Sequence, residues 1–471
     1  MAKSQTKAAT NGTPKAGEEA ASLPCYVLSL SVENIRCFGP KQTLDLSNEK
    51  GLHAQWTIIL GENGTGKTTL LQALVCLEMI TSTNFTEIDK HHDLPKERPR
   101  LIDFWVRPQV SQSGDPFGLT RDPNHATPTS CHLTWMRPSD HHSPNVPCVP
   151  HKASWEFRSA GDSTRIQFEE SPPSLIFYAY GAGRRLGGVS LRQNSLDDPV
   201  GTLFDETALL RNAEEWLLQL DYAASKPSEI QAQQKKRLEQ IKQLLIAILP
   251  DVEDIRFIAG AGPYPKPRVE FKSFSGWVPL RRLGYGYQTL IAWVTDFASR
   301  MGERYPDSPD PLKEPAIVLV DEIDLHLHPL WQRKLISFLS ERFPNTQFIA
   351  TAHSPLVVQA AENANIAVLK RVGDHVEIMN DPEQIRGWRI DQILTSDLFG
   401  LKSSYPPEVE TLFDRKEELL GKAKLKPREK DELHEIQEKI DQLPVGDSAH
   451  VAKEMKAIQE ALALLKNHQP K

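Results

Sequence analysis

Short apolar runs alternate with longer amphipathic segments between residues 25 and 390 of the chain. The runs that predict strands are rich in Val, Ile and Leu, and they are Tyr26–Val32, Thr43–Leu46, Trp56–Leu60, Ser174–Tyr180, Ala316–Val320 and Gln347–Ala350. The segments with apolar positions at helical spacing are 68–80, 206–224, 228–249, 287–301 and 330–342. Strands that alternate with helices predict an α/β fold with a parallel or mixed sheet.

Four segments are assigned roles of their own. Residues 1–24 are rich in Ala, Lys and Thr without an apolar core, which predicts a disordered tail and not an export signal. Residues 81–173 are rich in Pro, His and Ser and contain short strand-like runs, which predicts a β-rich insertion in the first lobe. Residues 205–250 predict a helical arm. Residues 391–471 predict a charged helical appendage for partner docking or oligomerisation, with its last two helices at 427–443 and 449–466.

The composition is that of a soluble globular protein. Of the 471 residues, 39% are hydrophobic and 25% charged, and the net charge of −7 gives no overall attraction to nucleic acid. A local basic patch is still compatible with DNA or RNA, so a nucleic-acid partner stays open. The five cysteines form no CxxC pair, as expected in a reducing compartment. No apolar run approaches the roughly 20 residues that span a bilayer, so we expect a cytoplasmic protein without a membrane partner.

A glycine-rich run lies between the strand predicted at 56–60 and the helix predicted at 68–80. It reads Gly61-Glu62-Asn63-Gly64-Thr65-Gly66-Lys67-Thr68-Thr69 and matches the phosphate-binding loop in full. Its glycines let backbone N–H groups turn toward phosphate oxygens at a helix N-terminus. Lys67 would place a cation on the β- and γ-phosphates, and the Thr68 hydroxyl would ligate Mg²⁺. The run therefore predicts binding of ATP with Mg²⁺.

Two acids, Asp321 and Glu322, follow the unbroken apolar run Ala316–Val320. A run without polar residues is typical of a strand buried on both faces, and ligands bind at the carboxyl ends of such strands. Asp321 is predicted to hold Mg²⁺ through water, and Glu322 to orient and deprotonate the attacking water. His353 follows the next predicted strand and is expected to contact the γ-phosphate and that water. The predicted reaction is hydrolysis of ATP to ADP and phosphate.

Taken together, these motifs resemble ABC-type P-loop ATPases of the SMC/RecF/OLD-like (AAA) branch, with residues 25–390 as the ATPase domain. In that resemblance the stretch containing Leu283, Gly284, Gly286 and Gln288 occupies the place of the signature motif, with Gly284 where the family has serine. The resemblance implies that this loop caps the nucleotide of an opposite subunit, which makes the active form a homodimer or higher homo-oligomer.

Two further positions are assigned by the same resemblance. Asp324–Pro329 looks like the D-loop at the dimer seam, and Leu28–Phe38 looks like the first strand pair, which puts Arg36 near the nucleotide. The turn at 181–185 lies where the family has its Q-loop, but the glutamine is missing. For Arg184, a phosphate contact, an inter-subunit contact and a surface salt bridge all stay open.

A closer resemblance is to stand-alone ATPases of bacterial anti-phage systems, including the Septu and retron-associated ATPases. It rests on Leu283–Gln288, on Asp321–Pro329, and on the Tyr-Gly-x-x-Arg turn that ends at Arg184. It implies an ATPase that senses infection and controls a separately encoded nuclease or toxin effector. The alternative is a RecF/SMC-like ATPase that binds DNA in repair.

Overall fold

The computed structural model describes residues 25–82, 129–136, 151–157, 164–168, 177–187, 198–260, 266–380, 387–422 and 426–443. They fall into two compact units. The first is the described part of Met1–Ile393 with Asp397–Phe399, and the second is the described part of Leu394–Ser396 and Gly400–Lys471. The tail predicted at 1–24 and the helix predicted at 449–466 lie outside the described residues.

The strands in chain order are β1 (Tyr26–Glu33), β2 (Gln42–Asp45), β3 (Trp56–Gly61), β4 (Thr129–Met136), β5 (His151–Phe157), β6 (Thr164–Phe168), β7 (Phe177–Tyr180), β8 (Asp254–Ile258), β9 (Arg268–Ser273), β10 (Gly276–Pro279), β11 (Ala316–Val320), β12 (Thr346–Thr351), β13 (Asn365–Val372) and β14 (His375–Asn380). The helices are α1 (Lys67–Ser82), α2 (Ala213–Ser225), α3 (Gln231–Ile248), α4 (Tyr285–Arg304), α5 (Pro329–Arg342), α6 (Pro355–Ala360), α7 (Ile390–Thr395), α8 (Pro407–Leu420) and α9 (Pro427–Asp441).

The central sheet has six strands in the order β14-β13-β3-β12-β11-β7. All neighbouring pairs are parallel except β13 with β14, which is antiparallel at one edge. The predicted α/β fold with a mixed sheet is confirmed. Because parallel strands end at the same edge of a sheet, the segments that follow β3, β7, β11 and β12 are brought together there.

The two faces of this sheet carry separate cores. Along β11, Val318 and Val320 belong to one buried cluster, whereas Ile317 and Leu319 belong to the other. Successive side chains of a strand point to opposite faces, so the unbroken apolar run is explained by burial on both sides. The first cluster includes residues of α2 to α5, and the second includes residues of α1 and β1.

Two antiparallel sheets accompany the central one. The first has the order β2-β1-β4-β5-β6, and its last three strands lie within the predicted insertion. The second has the order β10-β9-β8. The helices predicted as an arm are α2 and α3, which bury Leu217, Leu220, Leu244 and Leu245 in the first core cluster. Their apolar stripe therefore belongs to the main core of the first unit.

The second unit contains a pair of charged helices, α8 and α9. Arg415 of α8 donates to both carboxylate oxygens of Glu432 in α9, at 2.7 and 3.0 Å. Lys422, just after α8, donates to Glu429 in α9 at 3.0 Å. Ion pairs near the solvent contribute little to stability, so these contacts mainly determine which side chains of the two helices face each other. In the described part of the chain, no helix combines the length and apolarity that a bilayer crossing requires.

Candidate active site

The glycine-rich run forms the turn between β3 and α1, as the sequence predicts. Gly66 has a φ of +89°, in the left-handed region that favours glycine. A Cβ atom at this position would collide with the Cys37 thiol and would lie 2.9 Å from the Phe38 ring. The loop after β1 is therefore packed directly against the phosphate-binding loop. The contact with Cys37 and Phe38 could not be anticipated from the motif itself.

Lys67 lies at the start of α1 and is almost fully buried. Its Nζ atom donates to the carbonyl oxygens of Gly61 at 2.8 Å and Glu62 at 2.9 Å. Burial lowers the pKa of Lys67, and the negative charges of Asp321 and Glu322 partly oppose that shift. The Lys67 ammonium is thus held by the start of the loop and lies near the two carboxylates.

Thr68 and the acidic strand end meet directly. The Thr68 hydroxyl donates to Asp321 Oδ2 at 2.7 Å, and the Thr351 hydroxyl donates to Asp321 Oδ1 at 2.6 Å. Asp321 is 5% exposed, so both carboxylate oxygens are held in a buried position. Thr351 is not among the site residues that the sequence predicts. A hydroxyl at the end of the strand next to the acidic pair is the signal that points to it.

Glu322 has an unusual backbone for a non-glycine residue, with a φ of +48°. Its N–H donates to the Thr351 hydroxyl at 2.7 Å, and its carbonyl oxygen accepts from Leu325 N–H at 3.0 Å. The Arg184 guanidinium donates to the same carbonyl oxygen at 2.7 Å. Side chains from two other strand ends therefore hold the peptide groups of Glu322.

Arg184 is 2% exposed, so the surface-salt-bridge interpretation is wrong. Besides the carbonyl of Glu322, it donates to the carbonyls of Gly181 at 2.9 Å and Asp321. All three partners are backbone oxygens. In the described residues its guanidinium thus contacts the acidic strand end, and the predicted phosphate and inter-subunit contacts stay predictions.

His353 follows β12, as predicted, and the residue is exposed. Its backbone N–H donates to the carboxylate of Asp324 at 3.1 and 3.3 Å. The loop after β11 is thereby joined to the loop after β12. Arg36 has a φ of +46° and donates to Thr69 Oγ1 at 3.3 Å and Gln72 Oε1 at 3.0 Å.

These elements enclose a cavity of about 280 Å³ at the carboxyl edge of the central sheet. The residues that line it are Arg36, Cys37, Asn63, Gly64, Gly66, Lys67, Thr68, Thr69, Asp321, Glu322 and His353. Apart from Cys37, all of them are predicted site residues, and they come from four separate segments of the chain. The arrangement offers a cation, backbone N–H groups, a buried carboxylate with a hydroxyl, and a second carboxylate.

The region predicted as a signature motif lies elsewhere. Gly284 is the N-cap of α4, and Gln288 Nε2 donates to the carbonyl oxygen of Leu283 at 2.7 Å. A Cβ atom on Gly286 would collide with the carbonyl oxygen of His326, so α4 packs closely on the loop after β11. Among the described residues, the lining of the cavity includes none of positions 283–288.

Two segments of the chain match family models. Residues 29–77 match a model described as "AAA domain". Residues 205–359 match a model described as "AAA domain, putative AbiEii toxin, Type IV TA system". The first match contains the glycine-rich loop, and the second contains the acidic pair and His353.

Relatives with curated names also match. The Septu protein PtuA of Bacillus mycoides (strain KBAB4) is 26% identical over 401 residues, which are 84% of this chain and 48% of that protein. The retron Ec83 probable ATPase of Escherichia coli is 39% identical over 127 residues, which are 27% of this chain and 22% of that protein. The chain thus spans about half the length, or less, of these relatives.

Solved structures with similar folds include the SMC head domain from Thermotoga maritima, at a TM-score of 0.40 and 14% identity over 75% of this chain and 98% of that chain. Another is the recombination mediator protein RecF, at 0.37 and 13% over 76% of this chain and 99% of that chain. By sequence, the chain contains AAA domains and is a homologue of proteins named Septu PtuA and retron ATPases.

Proposed function

We propose that this chain binds ATP with Mg²⁺ and hydrolyses it to ADP and phosphate. In this proposal it is the sensor and regulatory subunit of a bacterial anti-phage defence system, and a separately encoded nuclease or toxin is its effector. The observation that carries the ATPase part is the single cavity that unites Lys67, Thr68, Asp321 and Glu322. The names of the relatives carry the defence part.

Phosphate binding follows from the loop between β3 and α1. Backbone N–H groups at the N-terminus of a helix form a site for anions, and the helix dipole favours negative charge there. Lys67 uses two of its three N–H donors on loop carbonyls, which leaves the third for a phosphate oxygen. Loss of the cation should therefore abolish ATP binding.

Mg²⁺ fits the oxygen pair at the end of β11. The Thr68 hydroxyl and the Asp321 carboxylate are oxygen ligands of the kind that Mg²⁺ prefers, and they already lie 2.7 Å apart. Thr68 and Asp321 would hold the ion together with phosphate oxygens and water. When bound, the ion would neutralise charge that develops on the phosphates.

Water activation is assigned to Glu322, which lies beside Asp321 on the wall of the same cavity. Its carboxylate would orient the attacking water and accept its proton, and His353 would hydrogen-bond the γ-phosphate and the water. The resemblance of positions 283–288 to the signature motif supports a further proposal, that a second copy of the chain presents them to the nucleotide in a nucleotide-dependent homodimer. Among the described residues, they lie outside the lining of the cavity.

The catalytic assignment is tested by Glu322→Gln, with Lys67→Met as a binding-deficient variant. Glu322→Gln should bind ATP and Mg²⁺ as the wild type does, but its kcat should fall by about 10²–10⁴-fold, the usual contribution of a general base. The same change at Glu362, an exposed residue outside the cavity, is the matched control and should not alter turnover. Unchanged turnover in Glu322→Gln would contradict the assignment.

The defence role is tested by affinity purification of the tagged chain from its native host, with and without nuclease treatment. A nuclease or toxin recovered in stoichiometric amounts would support the role and identify the effector. Its retention should differ between wild type and Glu322→Gln if the nucleotide state controls it. Recovery of DNA with repair proteins would instead favour the RecF/SMC-like alternative.

A further inference from the structure

We propose that Arg184 is a positioning residue for Glu322, because its buried guanidinium holds the backbone on both sides of that residue's Cα atom. The inference rests on the proposed ATPase function, in which Glu322 activates water. Arg184 donates to the carbonyl of Asp321, which precedes Glu322, and at 2.7 Å to the carbonyl of Glu322 itself.

The backbone at Glu322 needs such support. A φ of +48° places it in the left-handed region, which is unfavourable for a non-glycine residue because its Cβ atom crowds the following carbonyl oxygen. A strained backbone conformation persists only where several contacts from the surrounding structure hold it in place. Here Thr351 holds the N–H at 2.7 Å, and Arg184 holds the two flanking carbonyls. Relaxation of this φ would rotate the Cα–Cβ bond and turn the Glu322 carboxylate away from its place in the cavity.

The surroundings of Arg184 favour a specific role over simple core filling. The guanidinium is buried at the end of β11, with only 2% of the residue exposed. Its buried Nε atom has no hydrogen-bond partner in the described part of the chain. A buried charged group with an unsatisfied donor costs free energy, so an apolar side chain would fill the same space better. Two other donors of Arg184 bind the peptide carbonyls on either side of the Glu322 Cα atom, which is the role that we assign to it.

The turn after β7 places Arg184 next to the end of β11. β7 lies beside β11, and the Asp321 N–H donates to the Tyr180 carbonyl at 2.8 Å where the two strands end. Gly181 follows, and a Cβ atom there would collide with the carbonyl oxygen of Thr202. The Arg184 N–H closes the turn on the Gly181 carbonyl at 3.3 Å. The side chain then reaches back over the end of the neighbouring strand.

The test compares Arg184→Met with Arg185→Met, the same change at the adjacent, exposed arginine. Arg184→Met should lower kcat for ATP hydrolysis by about 10²-fold, the effect of misplacing a reacting group by about 1 Å, with little change in ATP affinity. Arg185→Met should retain wild-type kcat. Arg184→Lys keeps the charge but loses the planar guanidinium that reaches both carbonyls, so it should show an intermediate kcat. It also provides a second variant if Arg184→Met does not fold.

A double-mutant cycle separates positioning from general damage. If Arg184 acts through Glu322, then Arg184→Met should change the residual rate of Glu322→Gln by less than about 3-fold, because the group it positions is already lost. A merely structural role would lower the rate by the same factor in both backgrounds. That result, or a wild-type kcat in Arg184→Met, would overturn the inference alone. A wild type without ATP hydrolysis would overturn the proposed function as well.

Discussion

Thr351 lies at the end of β12 and connects the two carboxylate residues of the candidate site. Its hydroxyl donates to Asp321 Oδ1 at 2.6 Å and accepts from Glu322 N–H at 2.7 Å. Thr346 lies at the other end of the same strand, is also buried, and its hydroxyl has no hydrogen-bond partner among the described residues. Replacement of each by valine, which is similar in shape, therefore separates the two hydrogen bonds from the effect of the substitution itself.

The expected magnitudes follow from these contacts. Thr351→Val removes a hydrogen bond to a charged group, worth about 1.5–3 kcal/mol, and leaves a buried N–H without its acceptor, at about 1–3 kcal/mol. The free energy of unfolding should fall by about 2.5–6 kcal/mol. Thr346→Val removes an unsatisfied buried hydroxyl, so it should be neutral or stabilising by about 1 kcal/mol.

Urea unfolding of both variants, extrapolated to zero denaturant, measures the difference. The kcat for ATP hydrolysis should fall by about 10²-fold in Thr351→Val, because Glu322 loses one of its backbone anchors, and should be unchanged in Thr346→Val. Equal stability of the two variants, within about 0.5 kcal/mol, would refute the assignment of these hydrogen bonds.

Three further predictions concern other parts of the first unit. Gly286 and Gly302 lie in the same helix, but only a Cβ atom at Gly286 would clash with its surroundings, so Gly286→Ala should be less stable than Gly302→Ala by about 1–3 kcal/mol. Equal midpoint temperatures of thermal unfolding for the two variants would contradict this prediction. Burial lowers the pKa of Lys67 below its ordinary 10.5. Between the lowered pKa and 10.5 the unfolded chain binds more protons than the folded one, so the free energy of unfolding of the wild type, relative to that of Lys67→Met, should rise with pH toward 10.5. A difference that urea unfolding finds to be independent of pH would argue against this prediction. Asp296→Ala removes the carboxylate that accepts from the buried Arg300 at 2.7 Å and should lower the free energy of unfolding by about 3–5 kcal/mol. An added Arg300→Met should restore part of that loss, and additive losses in the double variant would exclude this explanation.

The central part of the fold could be predicted because its signals are local. The strand, glycine loop and helix from Trp56 to Ser82 occupy contiguous residues, and each part has its own pattern. The apolar run before Asp321 predicts a central strand in the same way. For α2 and α3 the helical pattern was also readable. Whether their apolar stripe belongs to an arm or to the main core depends on burial in one cluster with residues such as Val318, far away in the chain.

The sequence by itself determined the phosphate-binding loop, the acidic pair and the strands and helices next to them, because each depends on neighbouring residues and on a regular period. It did not predict β13 and β14, which complete the central sheet. Only the tertiary structure decided which side chains support the loop and the acidic pair. Arg184 and Asp321 are 137 positions apart, and Thr351 and Glu322 are 29 apart. They meet because β7, β11 and β12 are adjacent in one parallel sheet. An arginine after a strand has the same local pattern whether it binds phosphate, a second subunit or a backbone carbonyl, so its partner is fixed by sheet order.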